Sequence, residues 1–367
     1  MILKDIDILN FKNIASAQLS FSPGVNCLLG MNGMGKSNLL EAIHFLAMAK
    51  PMTGGDAGLL KHGEESMMVK GRFESDAGVE DCISAGIIKG SPKKVKLNGK
   101  DYKRLSEHIG RFPVVSITPA DSKLVAGAAE ERRKFVDIVI SQADPVYLNS
   151  LIRYGKALDS RNKMLRASIR DVLLYESVES AMIEAASVIY DIRKKWIEDI
   201  APVVSETYSS VSGRPEKIIL DYKSQLNGTS LAELLKERRA KDEILGFSSA
   251  GPHRDDLEIS LDGYPLRTTG SQGQIKSFTV ALRLAVFEFL KQVKHTTPLL
   301  LLDDIFDKLD AERVSNIMKE VSKKDRFGQI FITDTNRKHL DDIVRVLPGD
   351  SALFNVSEGN FSKLTAS

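Results

Sequence analysis

The run Val25-Asn26-Cys27-Leu28-Leu29-Gly30-Met31-Asn32-Gly33-Met34-Gly35-Lys36-Ser37-Asn38-Leu39-Leu40-Glu41-Ala42-Ile43 decides how the rest of the chain is read. A strand-like stretch from Val25 to Leu29 leads into a complete G-x-x-x-x-G-K-[ST] string, and a helical pattern follows, the setting a phosphate cradle requires. Glycines let the backbone wrap a triphosphate without Cβ clashes, while successive N–H groups and the start of the helix face the anionic oxygens. In this reading Gly30, Met31, Asn32, Gly33, Met34, Gly35, Lys36 and Ser37 line a nucleotide. Lys36 reaches the β and γ phosphates, and Ser37 holds magnesium.

A chain of 367 residues exceeds what one hydrophobic core usually supports, so two lobes are expected. Lysine and arginine total 51 against 49 acids, a formal net charge of +2, so any basic surface has to be local. Cys27 and Cys82, in strand-like runs, are too few for a disulfide framework and lack metal-ligand spacing, which fits a reducing compartment. No apolar run approaches the length that crosses a bilayer, so the expected address is cytoplasmic, with no membrane partner.

Residues 2–29 alternate apolar and polar around Ser22-Pro23-Gly24 and predict a short β meander into the phosphate loop. From 66 to 117 the pattern is again strand-like, with an Asn98-Gly99 hairpin turn, and reads as an antiparallel β layer. Helical periodicity then runs from Pro119 to about Leu245, with Asp144-Pro145 as a cap and first-turn proline. Strand and helix patterns return at Leu257–Leu261, Gln272–Val293, Leu299–Leu302, Ala311–Ser322 and Gln329–Thr333. The expected architecture is α/β: residues 1–117 and 246–367 form a head with a mixed sheet carrying the phosphate loop and an antiparallel β layer, and 118–245 form an inserted compact α-helical lobe.

Pro298-Leu299-Leu300-Leu301-Leu302-Asp303-Asp304 is a buried strand ending in two acids, with Lys308-Leu309-Asp310 downstream. Asp303 is placed to orient a magnesium shell and Asp304 to contact the attacking water as base or orienter. Together with Lys36 these are the candidate catalytic residues, and Ser37 with Asp303 the candidate metal ligands. Thr269-Gly270-Ser271-Gln272-Gly273-Gln274 opens a long helix, where backbone donors and a serine hydroxyl invite an anion.

These residues resemble the signature motif of ATP-binding-cassette nucleotidases, usually Leu-Ser-Gly-Gly-Gln, in which one subunit's motif caps nucleotide held by its partner. Ser271, Gly273 and Gln274 match, and Gln272 replaces the first glycine. Leu9-Asn10-Phe11-Lys12-Asn13 and the Gly-x-Asn-Gly form of the phosphate loop resemble the SMC-like group of these ATPases. Within it the chain resembles the RecF family through Gly251-Pro252-His253-Arg254-Asp255-Asp256-Leu257, the Gly270–Gln274 string, Leu302-Asp303-Asp304, Asn38–Ile43, Pro119-x-Asp121, Glu131–Asp137 and Arg161-Asn162. Met34 and Ile275 stand where that family commonly has glutamine, and Ser37 where threonine is more usual.

The resemblance implies an ATPase head with ATP and Mg2+ as cofactors, a helical lobe, and an ATP-dependent homodimer on single-stranded or gapped DNA. It also implies work with a RecR-like mediator in recombinational repair and replication restart, supporting RecA loading and the SOS response. Asp304 stands where transporter-type cassettes carry glutamate, so its shorter carboxylate predicts slow hydrolysis; the resemblance implies a weak, DNA-dependent ATPase. No switch histidine follows Gln329–Thr333, and His339 is not assigned that role.

Two basic clusters are candidates for DNA. If Leu151–Val172 is one helix, Arg153, Lys156, Lys163, Arg166 and Arg170 share a face opposite Leu151, Tyr154, Leu158, Leu165, Ile169 and Val172. The second, around the hairpin turn, includes Lys93, Lys94 and Lys96 and has only Tyr102 as a nearby aromatic, predicting charge-driven, sequence-independent binding. His253 and Arg254, read as a turn between the lobes, are compatible with reporting nucleotide state or with fixing the turn. The alternative to a RecF-like role is an SMC-like DNA tether or chromosome-organising head, against which the length of the insertion counts. A transporter motor subunit fits less well, and a small-molecule kinase has no use for Ser271–Gln274.

Overall fold

Helix α1 (Lys36–Met48), which begins at the phosphate loop, is buried on nearly every side because sheets pack on both of its faces. The structure, a computed structural model, describes residues 1–306, 310–323, 326–346 and 350–364. It divides into two compact units, Met1–Asp121 with Ser210–Arg214 and Lys276–Ser367, and Ser122–Ser209 with Pro215–Ile275.

In the first unit, β1 (Ile2–Phe11), β2 (Ile14–Ser20), β4 (Ser66–Glu74), β5 (Glu80–Ile88), β6 (Lys94–Leu97) and β7 (Lys100–Asp101) form an antiparallel sheet in the order β2-β1-β4-β5-β6-β7. Asn98 and Gly99, at φ 50° and 79°, turn the β6–β7 hairpin as the Asn-Gly pair predicts. The second sheet runs β15-β14-β3-β13-β12-β8, from β3 (Val25–Leu29), β8 (Val114–Ile117), β12 (Leu299–Asp303), β13 (Ile330–Asp334), β14 (Ser351–Ser357) and β15 (Asn360–Leu364). All its pairings are parallel except β14–β15. Leu39, Ile43, Phe45 and Leu46 of α1 lie in one core with Leu3, Ile6 and Val69 from the first sheet and Leu28, Leu301 and Phe331 from the second.

The β8 segment corrects one expectation, because it leaves the antiparallel layer and pairs parallel with β12. Its four residues, Val114, Val115, Ser116 and Ile117, are all buried, as in a strand covered on both faces. Helices α10 (Ala311–Val321) and α11 (Arg337–Val346) complete the unit. Asp310 caps α10 through Arg313 N at 2.9 Å, whereas Lys308 and Leu309 lie outside the described residues.

The second unit contains α2 (Lys123–Ala126), α3 (Ala129–Ala143), α4 (Pro145–Arg166), most of α5 (Val172–Ser212), α6 (Leu231–Glu237), α7 (Arg239–Leu245) and α8 (Leu266–Thr269). Asp144 caps α4 by accepting from Val146 N at 2.7 Å and Tyr147 N at 3.3 Å, with Pro145 in the first turn. The expected boundary at 245 and the purely helical character are both revised. β9 (Ile218–Lys223), β10 (Asp256–Leu261) and β11 (Tyr264–Pro265) form a three-stranded antiparallel sheet within this unit, which extends to Ile275. Read singly, β10 looks like a strand of the head; its partner β9 lies within the helical stretch, and pairing between them holds the segment here. Helix α9 (Gln272–Lys294) begins in this unit and continues into the first.

The predicted continuous helix over 151–172 is broken. α4 ends at Arg166, Ser168 takes φ 51°, and α5 starts at Val172. Arg170 therefore lies on the connection and not on the basic stripe.

Candidate functional site

The phosphate loop joins β3 to α1, and Gly35, the residue before the helix, has φ 114°, a conformation that glycine adopts without strain. Lys36 Nζ donates to Gly30 O at 2.6 Å and Met31 O at 3.0 Å, so the ammonium lies across the mouth of its own loop. Burial pulls its pKa below the ordinary lysine value, against the opposing field of Asp304, Asp303 and Asp334.

Strand order brings the rest of the site to this loop. β13 lies between β3 and β12, so the carboxyl end of β12 opens beside the phosphate loop with one strand intervening. Ser37 Oγ donates to Asp303 Oδ1 at 2.8 Å. Thr333, at the end of β13, donates its hydroxyl to the same Asp303 oxygen at 2.8 Å and accepts Asp304 N–H at 2.9 Å. Asp304 takes φ 48°, a left-handed conformation that aspartate tolerates better than most residues. A hydroxyl and a carboxylate on one centre are the hard oxygen donors that magnesium takes, so this donor set fits the ion. Lys36, Ser37, Asp303 and Asp304 are thus brought together as the sequence suggests.

Two contributors escaped the sequence reading. No local pattern singles out Thr333, since its role depends on β13 lying between β3 and β12. Asn13, in the β1–β2 turn, donates Nδ2–H to Gly33 O at 3.3 Å and accepts Asn38 Nδ2–H at 2.8 Å. Its neighbour Lys12 pairs with buried Glu41 of α1 at 3.0 Å. His339 Nδ1 lies 3.2 Å from Asp334 Oδ2, and Asp334 is nearly buried at the end of β13.

Ser271, Gly273 and Gln274 fall in the second unit, at the start of α9. Ser271 Oγ accepts Gln274 N–H at 3.2 Å and Gln274 Oε1 accepts Ser271 N–H at 2.9 Å, a reciprocal cap. Gln274 Nε2 also donates to Glu216 Oε1 at 2.9 Å. Ser271 itself is exposed. Capping and presentation of the serine to solvent coexist in this geometry.

The Gly251–Leu257 string lies wholly inside the second unit, not at a junction. Tyr154 hydroxyl and His253 Nδ1 are 2.6 Å apart, and His253 Nε2 and Arg254 Nη2 reach Ser248 O at 3.0 and 3.1 Å. Both residues therefore fix the turn. Beneath it, buried Arg193 binds Asp255, Asp137 and the Tyr147 hydroxyl.

The basic candidates divide by what they already hold. Arg153 pairs with Glu184 at 2.6 Å, Lys163 with Asp159 at 2.7 Å, and Lys93 with Asp56 at 2.9 Å, while Arg166 Nε donates to Asn162 O at 3.1 Å. Lys156, Arg170 and Lys94 are exposed and Lys96 half-buried, with no ion pair among the described residues. Among the described residues, no group of three or more His, Cys, Asp or Glu side chains is arranged to hold a metal by itself, and no helix is long and apolar enough to cross a membrane.

Residues 2–349 match the family model described as the RecF/RecN/SMC N terminal domain. The chain is 46% identical over 360 residues to the DNA replication and repair protein RecF of Parabacteroides distasonis, covering 98% of both chains. It is 45% identical over 368 residues to the protein of the same name from Bacteroides thetaiotaomicron, covering all of both. Among solved structures, the recombination mediator protein RecF with ATP in the RecFOR pathway superposes with a TM-score of 0.88 at 30% identity, over 99% of this chain and 97% of that one. An Smc head bound to the C-winged helix domain of ScpA superposes at 0.58 with 16% identity, over 100% of this chain and 98% of that one, a likeness of fold alone. With the phosphate loop, the paired aspartates and end-to-end identity in agreement, the chain belongs to the RecF family of SMC/RecF-type ATPases.

Proposed function

We propose that this chain is an ATP-gated DNA-binding switch of recombinational repair and replication restart. It binds ATP with Mg2+, dimerises on single-stranded or gapped DNA, and hydrolyses slowly enough that cleavage acts as a release timer. Its output is support of RecA loading at gaps and of the SOS response, together with a RecR-like mediator, in the cytoplasm. The similar chains carry the name of a DNA replication and repair protein, and the solved RecF structure with ATP belongs to the RecFOR pathway.

The observation that carries the reading is the convergence of Ser37, Asp303 and Thr333 beside the loop of Lys36. Gly30 to Ser37 wrap the phosphates, Lys36 turns from its loop carbonyls to the β and γ oxygens, and Ser37 with Asp303 hold magnesium. The ion, when bound, neutralises developing charge on the transferred phosphoryl group. Asp304 orients the attacking water, and its short side chain makes that contact weak. Ser271, Gly273 and Gln274 of one protomer cap the nucleotide of its partner. The split into two compact units, with Ser271 in the second, supports this reading.

Light scattering tests the proposal. Wild-type protein is expected to be largely monomeric alone and dimeric with ATP and Mg2+ on gapped DNA, and Lys36→Met to lose nucleotide binding and dimerisation together. A mass that ignores ATP in the wild type would overturn it.

A further inference from the structure

Two turns remote in sequence meet at the phosphate loop. From the β1–β2 turn, Asn13 Nδ2–H reaches Gly33 O at 3.3 Å, and its Oδ1 is anchored by Asn38 Nδ2–H at 2.8 Å. From the β14–β15 turn, Gly359 N–H donates to Met34 O at 2.8 Å, and Glu358 N–H lies 3.4 Å from Met34 Sδ. The two turns also touch each other closely. A Cβ on Gly359, which has φ 77°, would lie 2.5 Å from Asn13 O, and one on Gly35 would lie 2.9 Å from Asn13 Oδ1.

Peptide geometry gives these contacts a consequence. In a trans amide the C=O and the following N–H point in opposite directions. Holding the carbonyls of Gly33 and Met34 outward therefore turns the N–H groups of Met34 and Gly35 away from the brace. Met34 N–H accordingly faces across the loop towards Met31 O at 3.4 Å. A loop free to rotate these two peptides would spend part of its time with carbonyl oxygens facing the anion, and binding would then have to supply the ordering free energy. The brace removes that cost before any ligand arrives.

We infer that Asn13, together with the Glu358–Gly359 turn, is a positioning element that presets the phosphate loop for anion binding. The inference rests on the nucleotide-binding reading of that loop. Asn13 acts through the loop backbone without touching the nucleotide, so its effect is independent of base and of the number of phosphates beyond the first two. The contact with Met34 also accounts for a methionine at this position: Met34 is partly buried and packs against the core, and its thioether meets the Glu358 amide.

The test compares wild type with Asn13→Ala, Asn38→Ala, the double variant and Gly359→Ala by calorimetric titration with ATP, ADP and pyrophosphate, alongside unliganded hydrogen exchange of the 30–37 segment. Asn13→Ala is expected to weaken all three ligands alike by about tenfold, the worth of one to two hydrogen bonds. Exchange in the segment should accelerate, while the unliganded melting temperature stays near that of wild type. Because the Asn38 amide reaches the brace through Asn13, adding Asn38→Ala to Asn13→Ala should cost little more, whereas independent sites would add. Gly359→Ala should reproduce the loss from the other side. Unchanged affinities and exchange in Asn13→Ala, with wild type binding normally, would overturn the inference alone; a wild type that binds none of the three ligands would overturn the nucleotide reading itself.

Discussion

Ser37 and Asp303, 266 positions apart in the chain, are joined by a hydrogen bond of 2.8 Å from hydroxyl to carboxylate. Thr333 holds the same Asp303 oxygen at 2.8 Å, so that one carboxylate oxygen is aimed by two hydroxyls. Asp303→Asn keeps the size and removes the charge. Titration of ATP with and without Mg2+ should then show the metal's contribution to affinity lost. Thr333→Val keeps the shape and removes the hydroxyl that also receives Asp304 N–H. ATP affinity should change by less than about twofold while hydrolysis falls about 10- to 100-fold, as is usual for partners of metal-ligating groups. Equal losses in both quantities would place Thr333 in binding and not in orientation of the acids.

Ser271 both caps α9 and stands exposed at its start. Ser271→Ala should cost about 1 kcal/mol of stability through the lost cap. Ser271→Arg should cost a similar amount, leave ATP binding intact and abolish the ATP-dependent dimer in light scattering. If the arginine variant dimerises as well as the alanine variant, the serine is a cap and nothing more.

Burial lowers the pKa of His253 from its ordinary 6.5 to about 4, with Arg254 and Arg133 acting in the same direction against the Ser248 carbonyl. Nε2 faces the Ser248 carbonyl, which can only accept, so in the neutral ring that burial favours Nδ1 is left to accept from the Tyr154 hydroxyl. The unfolded chain takes up a proton below pH 6.5 and the folded one only near 4. The contribution to stability is therefore complete above about pH 6.5 and declines as pH falls from 6.5 towards 4, by at most about 1.4 kcal/mol per pH unit for this residue. Denaturant melts across that window should show the slope in wild type and a shallower one in His253→Gln. A slope unchanged by the substitution would exclude His253 as its source.

DNA affinity should respond to the basic residues that have no ion pair among the described residues. Lys94→Ala and Lys156→Ala are expected to weaken binding to any sequence and to lower the log–log salt slope by about 1 each. Lys93→Ala should do less, since Lys93 already pairs with Asp56. A salt slope untouched by all three would remove both patches from the interface.

Much of the site could be read from the chain because its chemistry is local. Gly30–Ser37 bring a strand end, a glycine turn and a helix start within a few residues, and Leu299–Asp304 an apolar strand with acids at its end. Periodicity located α9, β12 and β13 to within a residue or two for the same reason. The basic stripe failed at Ser168, where helical periodicity persists across a residue at φ 51° that ends the helix.

Contiguous residues suffice to announce a phosphate loop and its acidic partner strand, and short motifs such as Gly251–Leu257 and Gly270–Gln274 carry the kinship. The pairing of β8 with the parallel sheet, of β10 with β9, and the contacts of Thr333 with Asp303 and of Asn13 with the loop emerge from the folded chain. Strand order and turn-to-turn contact arise from pairing between segments as far apart as β3 and β13, and no short-range pattern encodes which strand will lie beside which.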